Sequence, residues 1–337
     1  MSQAEVSPAE VSGSKVSKAG VPEAEVPEAE VPEAGALRAA AQPPSTTAAA
    51  PASAAVGAGP RRQTAAGFAA LFRNELWLTF RRTRTIALLG ILAMLPVLIG
   101  VVVKLQTDDA SHGGGPAFIA QVSQNGLFLV FTALALALPI FLPMTVGVVA
   151  GDSIAGEAAT GTLRYLLVAP AGRTRLLAAK FTAGLVFCLA ATMAVVLAAV
   201  ATGAALFPLG DVTLLSGDTI GLGEAVVRAV LVAGVVALSL SGLVAIGLFI
   251  STLTGSGIAA MATTVGLVIT VQILDTFPQL HTIQPYLFTH QWLSFGDLLR
   301  QPMHWDNVLQ NLGLQALYVA VFGSAAWARF TSRDVTA

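Results

Sequence analysis

Charge is the scarcest commodity in this chain. Asp, Glu, Lys and Arg make up 11% of its 337 residues, where an ordinary soluble domain carries about 25%. Nineteen acidic residues nearly balance eighteen basic ones, so no basic surface is available to neutralise phosphates, and nucleic acid is excluded as a partner. Cysteine occurs once, at Cys188 inside an apolar run. An intrachain disulfide is therefore impossible, and the residue reads as a small buried hydrophobe. Catalytic signatures are missing as well. The sequence has no G-x-x-x-x-G-K-S/T phosphate loop, no H-E-x-x-H, no G-x-S-x-G and no cysteine pair, so it has no usual cradle for ATP and no familiar hydrolytic centre. His281, His290 and His304 share one segment, but their spacings of 9 and 14 match no zinc pattern. No metal, no cofactor and no catalytic residue is expected in this chain.

What fills the sequence instead is apolar. Residues of the AVILMFWYC set reach 55% and the mean hydropathy is +0.75. So few charges cannot solvate the surface of a large soluble core, whereas lipid needs none. The first sixty residues are different material. Valines 6, 11, 16, 21, 26 and 31 mark a pentad repeat rich in Ala, Pro and Glu, followed by an Ala/Pro/Ser/Thr stretch to about Pro60. A period of five matches neither helix nor strand, and such a composition buries too little apolar area to offset its ordering entropy. Residues 1–62 are expected to be a disordered tail, with no basic start and apolar run of the signal-peptide kind.

A helix rises about 1.5 Å per residue, so about 20 apolar residues cross a bilayer core. Uncharged runs of that length predict six spans, at about 86–104, 127–150, 181–207, 226–250, 257–275 and 308–328. The fourth and fifth come from one run of 229–274, divided by Ser251-Thr-Leu-Thr-Gly-Ser-Gly257. With the N-terminus cytoplasmic, the inner flanks hold Arg61, Arg62, Arg73, Arg81, Arg82, Arg84, Arg164, Arg173, Arg175, Lys180, Arg329 and Arg333, and the outer side only Lys104, Arg228 and Arg300. Twelve against three is a strong positive-inside bias and places both termini, including the short tail 331–337, in the cytoplasm. Arg228 lies near enough to an outer end to snorkel.

Ahead of the first span, Phe68, Leu71, Phe72 and Leu76 recur at helical spacing, with Trp77 and Phe80 extending the stripe and Arg73, Asn74, Arg81 and Arg82 supplying polar groups. The pattern predicts an amphipathic helix lying at the inner interface. Pro96 in the first span and Pro139 and Pro143 in the second free backbone carbonyls that neighbouring side chains must satisfy. The fold class is thus an all-α polytopic membrane protein: six transmembrane helices behind an amphipathic interfacial helix and a disordered N-terminal tail.

The most informative stretch joins the second and third spans, residues 151–180. Asp152 and Glu157 are expected just below the membrane exit. Gly161 and Thr162 can open a short helix with Leu163, Leu166 and Leu167 on one apolar face, Pro170-Ala-Gly172 turns the chain, and Arg173, Arg175 and Lys180 mark its return at an anionic leaflet. An exposed leucine face needs something to pack against, and a soluble protein would supply it. The pattern D-x-x-A-G-E-x-x-x-G-T-L-R-x-L-L-x-x-P-x-x-R-x-x-L-L-x-x-K, carried by Asp152, Ala155, Gly156, Glu157, Gly161, Thr162, Leu163, Arg164, Leu166, Leu167, Pro170, Arg173, Leu176, Leu177 and Lys180, closely resembles the permease subunits of type-2 ATP-binding-cassette (ABC) transporters. The resemblance covers about residues 65–330, within the 63–330 permease domain, and leaves the tail unaccounted for.

That resemblance implies a cell-membrane, multi-pass permease in which this segment docks on a separate ATPase subunit. Two permeases, identical or not, and two ATPases form the working unit, with ATP and Mg bound by the ATPases, and the direction implied is export. Leu163, Leu166 and Leu167 would seat in the ATPase, while Glu157 and Arg164 would hold the segment or pair across the contact. Short re-entrant helices are also implied within 275–306 on the outer side. Three rivals stand beside this reading. An ion-gradient-driven carrier would need charged residues deep in the spans, which the sequence essentially lacks. An intramembrane enzyme would need clustered acid, base or nucleophile. A non-transporting assembly subunit that recruits an ATPase meets no objection. The substrate is unspecified by any residue in the spans.

Overall fold

A computed structural model describes residues 60–109, 122–161, 172–208, 210–214 and 216–332, and within them the chain is overwhelmingly helical. The pentad-repeat tail lies outside these residues, as do Thr162, Leu163, Arg164, Leu166, Leu167 and Pro170 of the segment joining the second and third spans.

The helices follow from long runs of Ala, Leu, Val and Gly with few strong breakers. Helix α1 spans Pro60–Arg81 and α2 spans Thr83–Asp109. Helices α3 (Phe128–Ala137) and α4 (Phe141–Ala159) are followed by α5 (Arg173–Leu206). A two-residue antiparallel hairpin, β1 (Val212–Thr213) with β2 (Thr219–Ile220), precedes α6 (Leu222–Ser239) and α7 (Ser241–Leu253). Helix α8 covers Gly257–Asp275, three 3-10 turns follow at Pro278–Leu280, Gln284–Tyr286 and Trp292–Leu299, and α9 runs over Asp306–Ser332.

Five helices are long and apolar enough to cross a membrane: Thr83–Thr107, Arg173–Leu206, Leu222–Leu253, Gly257–Asp275 and Asp306–Ser332. The pair α3 and α4, bent by 55° at residues 138–140, makes a sixth when counted as one broken span. Many large apolar side chains face outward from these helices, among them Ile91 and Leu98 on α2, Leu197 on α5, Val227 on α6, Ile258 on α8 and Leu309 on α9. Water would penalise such a surface and hydrocarbon would not. The break expected at 251–257 is present, between Leu253 and Gly257. The span before it is itself interrupted at Leu240, where α6 gives way to α7.

The bend at the two prolines has a local cause. Pro143 has no N–H to donate to the carbonyl of Pro139 four residues back. Gln272 on α8 fills that vacancy, donating from Nε2 to the Pro139 carbonyl. The helices pair tightly: α8 lies along α4, α9 along α7 and α2 along α5. Small residues permit this. At the α4–α8 contact a Cβ on Gly151 would sit 3.0 Å from the Ala260 backbone, closer than packed atoms normally come. One continuous apolar core fills the bundle around Leu134, Phe187, Val236 and Leu243. A smaller cluster of Ile154, Leu176, Leu177, Leu248, Ala326 and Phe330 closes one end.

Candidate functional site

The segment that carries the permease-like pattern is not a single loop. Helix α4 continues past the expected membrane exit to Ala159, so Asp152, Gly156 and Glu157 lie on its last turns, and Arg173 to Lys180 form the first turns of α5. Gly161, read from the sequence as opening a helix, instead closes one. It adopts φ +72° and its N–H donates to the Ala158 carbonyl, the left-handed position at which glycine ends helices without a Cβ penalty. What the structure defines here is therefore two helix ends and how they are held.

They are held by two ionic groups. Lys180, expected at a leaflet surface, is buried inside the bundle. Its Nζ donates to Glu157 Oε1 at 2.6 Å and to Glu75 Oε2 at 3.0 Å. The side chains of Lys180, Glu75 and Glu157 are 1%, 6% and 8% exposed, so this ammonium and its carboxylates meet with little water to screen them. Glu75 belongs to α1, Glu157 to α4 and Lys180 to α5, so one contact fastens three helices. Beside it, Asp152 accepts from Arg82 Nη1 at 2.6 Å and is also paired with Arg84. Arg82 is the bend between α1 and α2, and Arg84 lies in the first turn of α2. Two absences of Cβ make room for the Asp152 carboxylate: a Cβ on Gly156 would stand 2.5 Å from its Oδ1, and one on Gly257 would overlap the same oxygen.

Hydrogen bonds complete the clamp. Ser251 Oγ on α7 accepts from the backbone N–H groups of Ile154 at 3.0 Å and Ala155 at 2.8 Å. Arg173 Nη1 donates to the Thr331 carbonyl at 2.8 Å, and Trp327 Nε1 to Thr174 Oγ1 at 3.0 Å, tying the start of α5 to the end of α9. A cavity of about 30 Å³ lies between the ionic groups, lined by Glu75, Arg82, Arg84, Ser153, Glu157 and Lys180 among others. That is room for a water molecule or two.

Helix α1 is present where the amphipathic pattern places it. Phe68, Leu71, Phe72 and Leu76 are half-buried, and Trp77 is exposed with the Arg81 guanidinium 4.5 Å above its ring. Phe68 and Phe72 stack with centroids 6.3 Å apart. Sequence reasoning missed the partner that α1 contributes. Glu75 is the only acidic residue between Pro60 and Thr107, which is the signal that could have singled it out. Burial pushes the Glu75 carboxyl above its ordinary range. Lys180 opposes that rise, Glu157 adds to it, and Arg82 opposes it only weakly.

The opposite end of the bundle is organised without ion-pair clusters of this kind. Arg228, expected to snorkel outward, is buried, and every N–H of its guanidinium is used. Nε and Nη2 donate to Glu224 Oε1 at 3.1 and 2.7 Å, Nη1 to the carbonyls of Leu298 at 3.0 Å and Arg300 at 3.1 Å, and Nη2 also to Gln301 Oε1. It pins the last 3-10 turn onto α6. Nearby, Asn311 donates to Ser239 Oγ at 2.6 Å, Gln315 to the Phe288 carbonyl at 2.8 Å and Tyr318 to the Tyr286 carbonyl at 2.9 Å. The short re-entrant helices expected over 275–306 are 3-10 turns, none long enough to cross a bilayer. Of the three histidines in that segment, His290 is the one bound to a carboxylate, with its Nδ1 2.7 Å from Asp275 Oδ1.

Residues 93–336 match a family model described as "Protein of unknown function (DUF2705)", a match that takes in both ends of the bundle but begins after α1. No curated protein matches the chain.

Proposed function

The chain belongs to the DUF2705 family, and we propose that it is the non-catalytic membrane subunit of an ATP-driven exporter of the ABC type-2 kind. In this reading the residues between α4 and α5 dock on a separate ATPase, which binds ATP and Mg. A second permease copy, the same or different, completes the pathway in the cell membrane. The arginine-rich end of the bundle faces the cytoplasm with both termini, and α1 lies along the inner interface.

The observation that carries this reading is the bracing of the two helix ends that bear the permease-like pattern. Asp152 and Glu157 on α4 and Lys180 on α5 are bonded to side chains of α1 and α2, and Ser251 and Thr331 bond the same two ends to α7 and α9. A push delivered to residues 162–171 would move five neighbouring helices together rather than bend a slack loop. That is the mechanical property a coupling element needs, since a load passes only through packed and bonded elements. The experiment is to co-express the full chain with the ATPase encoded beside it and purify through a tag on the chain. Wild type is expected to retain the ATPase and to show no hydrolysis without it. Leu166→Asp with Leu167→Asp is expected to lose the ATPase while still inserting into the membrane. Retention of the ATPase by that variant, at wild-type stoichiometry, would remove the coupling assignment.

The buried Lys180 group gives the ion-gradient-driven carrier its one supporting observation, because buried ionisable residues mark proton and ion pathways in membrane proteins. Its position at a helix end, away from the apolar middle of the spans, weighs for the braced-hinge reading. Uptake into vesicles driven by an ion gradient with no nucleotide present would favour the carrier. A non-transporting assembly subunit would retain the ATPase and move nothing.

A further inference from the structure

We infer that the Glu75–Lys180–Glu157 group is a proton-binding site: in the resting protein Glu75 carries a proton on Oε1, and that proton sets how tightly α1 is fastened to the bundle. This does not rest on the transporter reading; it concerns the three side chains and the cavity beside them.

Counting charge at the site comes first. One ammonium meets two carboxylates, so the buried group carries a net negative charge when all three are ionised. Uncompensated charge away from water is costly, and a titratable group responds by neutralising. The groups facing Glu75 from each neighbouring element are Lys180 on α5, Glu157 and Asp152 on α4, Arg82 at the α1–α2 bend and Arg84 on α2; α7 contributes only Val244 and Leu248 to the cavity wall. Summed over all six, the charges cancel, but they are not equally placed. The Arg82 and Arg84 side chains are 34% and 36% exposed and both engage Asp152. Solvent screens them, and their charge is already shared. The deficit at Lys180 is therefore local.

The second observation is an oxygen without a bond. Glu75 Oε2 accepts from Lys180, whereas Glu75 Oε1 is buried and has no hydrogen-bond partner among the described residues. A carboxylate oxygen left bare in that way is penalised by a full desolvation cost. Protonation removes the charge from it and turns it into a donor, with the adjoining cavity large enough to hold the water that would accept. One O–H bond forms, no other bond breaks, and the proton comes from solvent through that cavity. Of the two carboxyls Glu75 is the one to take it: its contact with Lys180 is the longer, 3.0 Å against 2.6 Å for Glu157, and burial pushes its carboxyl upward.

The direction of the pH effect follows. A carboxyl whose value is raised in the folded state stabilises that state fully at pH below its ordinary range, and loses the contribution as pH rises through the raised value. Loss of the proton restores the net negative charge under α1. The test uses the full chain reconstituted in neutral-lipid nanodiscs, followed by infrared spectroscopy as pH is raised from the ordinary carboxylate range. A protonated-carboxyl C=O band is expected in the wild type above that range, absent from Glu75→Gln, and vanishing at lower pH in Glu157→Gln, where Glu75 no longer shares Lys180. Thermal unfolding of the wild type should lose stability over the pH interval in which the band disappears, and Glu75→Gln should be flat there. Absence of the band in the wild type overturns the proposal. So does its persistence in Glu75→Gln, or a Glu75→Gln chain that cannot fold, since the amide mimics the protonated acid.

Discussion

The two ends of this bundle solve the same problem with different chemistry. At the end bearing Lys180, separate helices are joined through ionised side chains, buried for Lys180, Glu75 and Glu157 and half-exposed for Arg82 and Arg84. At the other, Arg228 binds two backbone carbonyls and a side-chain amide, and neutral groups such as Asn311, Gln315 and Tyr318 hold the 3-10 segment. The difference bears on mechanics. A charge cluster is sensitive to the gain or loss of one proton or one partner, because removing either leaves a buried charge behind. A guanidinium that cannot be deprotonated, bonded to carbonyls that cannot ionise, is indifferent to pH. One end can be switched, and the other is a fixed cap.

The largest way to break this contrast is Lys180→Met. It leaves Glu75 and Glu157 facing one another with no cation between them. Breaking a buried pair in this manner typically costs about 3–5 kcal/mol. Unfolding in mild detergent should show a loss of that order. Adding Glu75→Gln and Glu157→Gln should recover much of it, because the uncompensated charges are then gone. If the triple variant were no better than Lys180→Met, packing of the lysine stem and not charge would be the source of the effect.

Arg228→Ala comes next. Two buried carbonyls lose their donor at about 1–3 kcal/mol each, so a total of about 2–4 kcal/mol is expected. Hydrogen exchange should rise in residues 292–301 and stay unchanged near Asp152 and Lys180. Arg228→Lys should rescue little, since an ammonium has three donors in no fixed fork and five contacts require it. A change spreading equally to both ends would erase the distinction drawn between them.

How much of this could be read from the sequence depends on whether the determinant is local. Span positions, the break near Gly257 and the need for a donor opposite Pro139 and Pro143 all follow from hydropathy, glycine and proline within short windows. The α6–α7 interruption at Leu240 has no such marker, since the run stays apolar through it. Pairings across the fold left less trace: Glu75 and Lys180 are separated by 105 residues, and nothing near either specifies the other. Lys180 was legible as part of a motif and Glu157 as a holding residue, yet their mutual contact depends on how α4 and α5 pack. Arg228 invited a snorkelling reading because the partners that bury it come from residues 298–301, on the far side of α8 in the chain. The leucine face of Leu163, Leu166 and Leu167, central to the sequence argument, lies outside the described residues.

Gly257→Ala tests the charged end more gently. The added methyl would overlap Asp152 Oδ1, so the carboxylate must turn away from Arg82 and Arg84, or α8 must move off α4. Overpacking of this kind costs about 1–3 kcal/mol. Gly255→Ala, two residues earlier where a Cβ meets nothing within 4 Å, should change stability far less. Equal effects at the two glycines would mean that backbone freedom, and not room for Asp152, explains Gly257.

The smallest effect is expected in the middle of the bundle, at Gln272→Leu. The substitution keeps the size and apolar character of the position but withdraws the one donor found for the Pro139 carbonyl. An orphaned carbonyl in water would simply be hydrated, and between helices in lipid it would not be. Measured side-chain hydrogen bonds between membrane helices nevertheless average only about 0.6 kcal/mol, because the separated helices find other partners. A loss near that value is therefore expected, with the 55° bend kept, because Pro143 still lacks its N–H whatever α8 supplies. Distances between spin labels on α3 and α4 would report the bend directly. Straightening of the pair in Gln272→Leu would show that α8 imposes the angle; an unchanged angle with a small loss of stability would leave it to the prolines, and would place the bend, unlike either end, under local control.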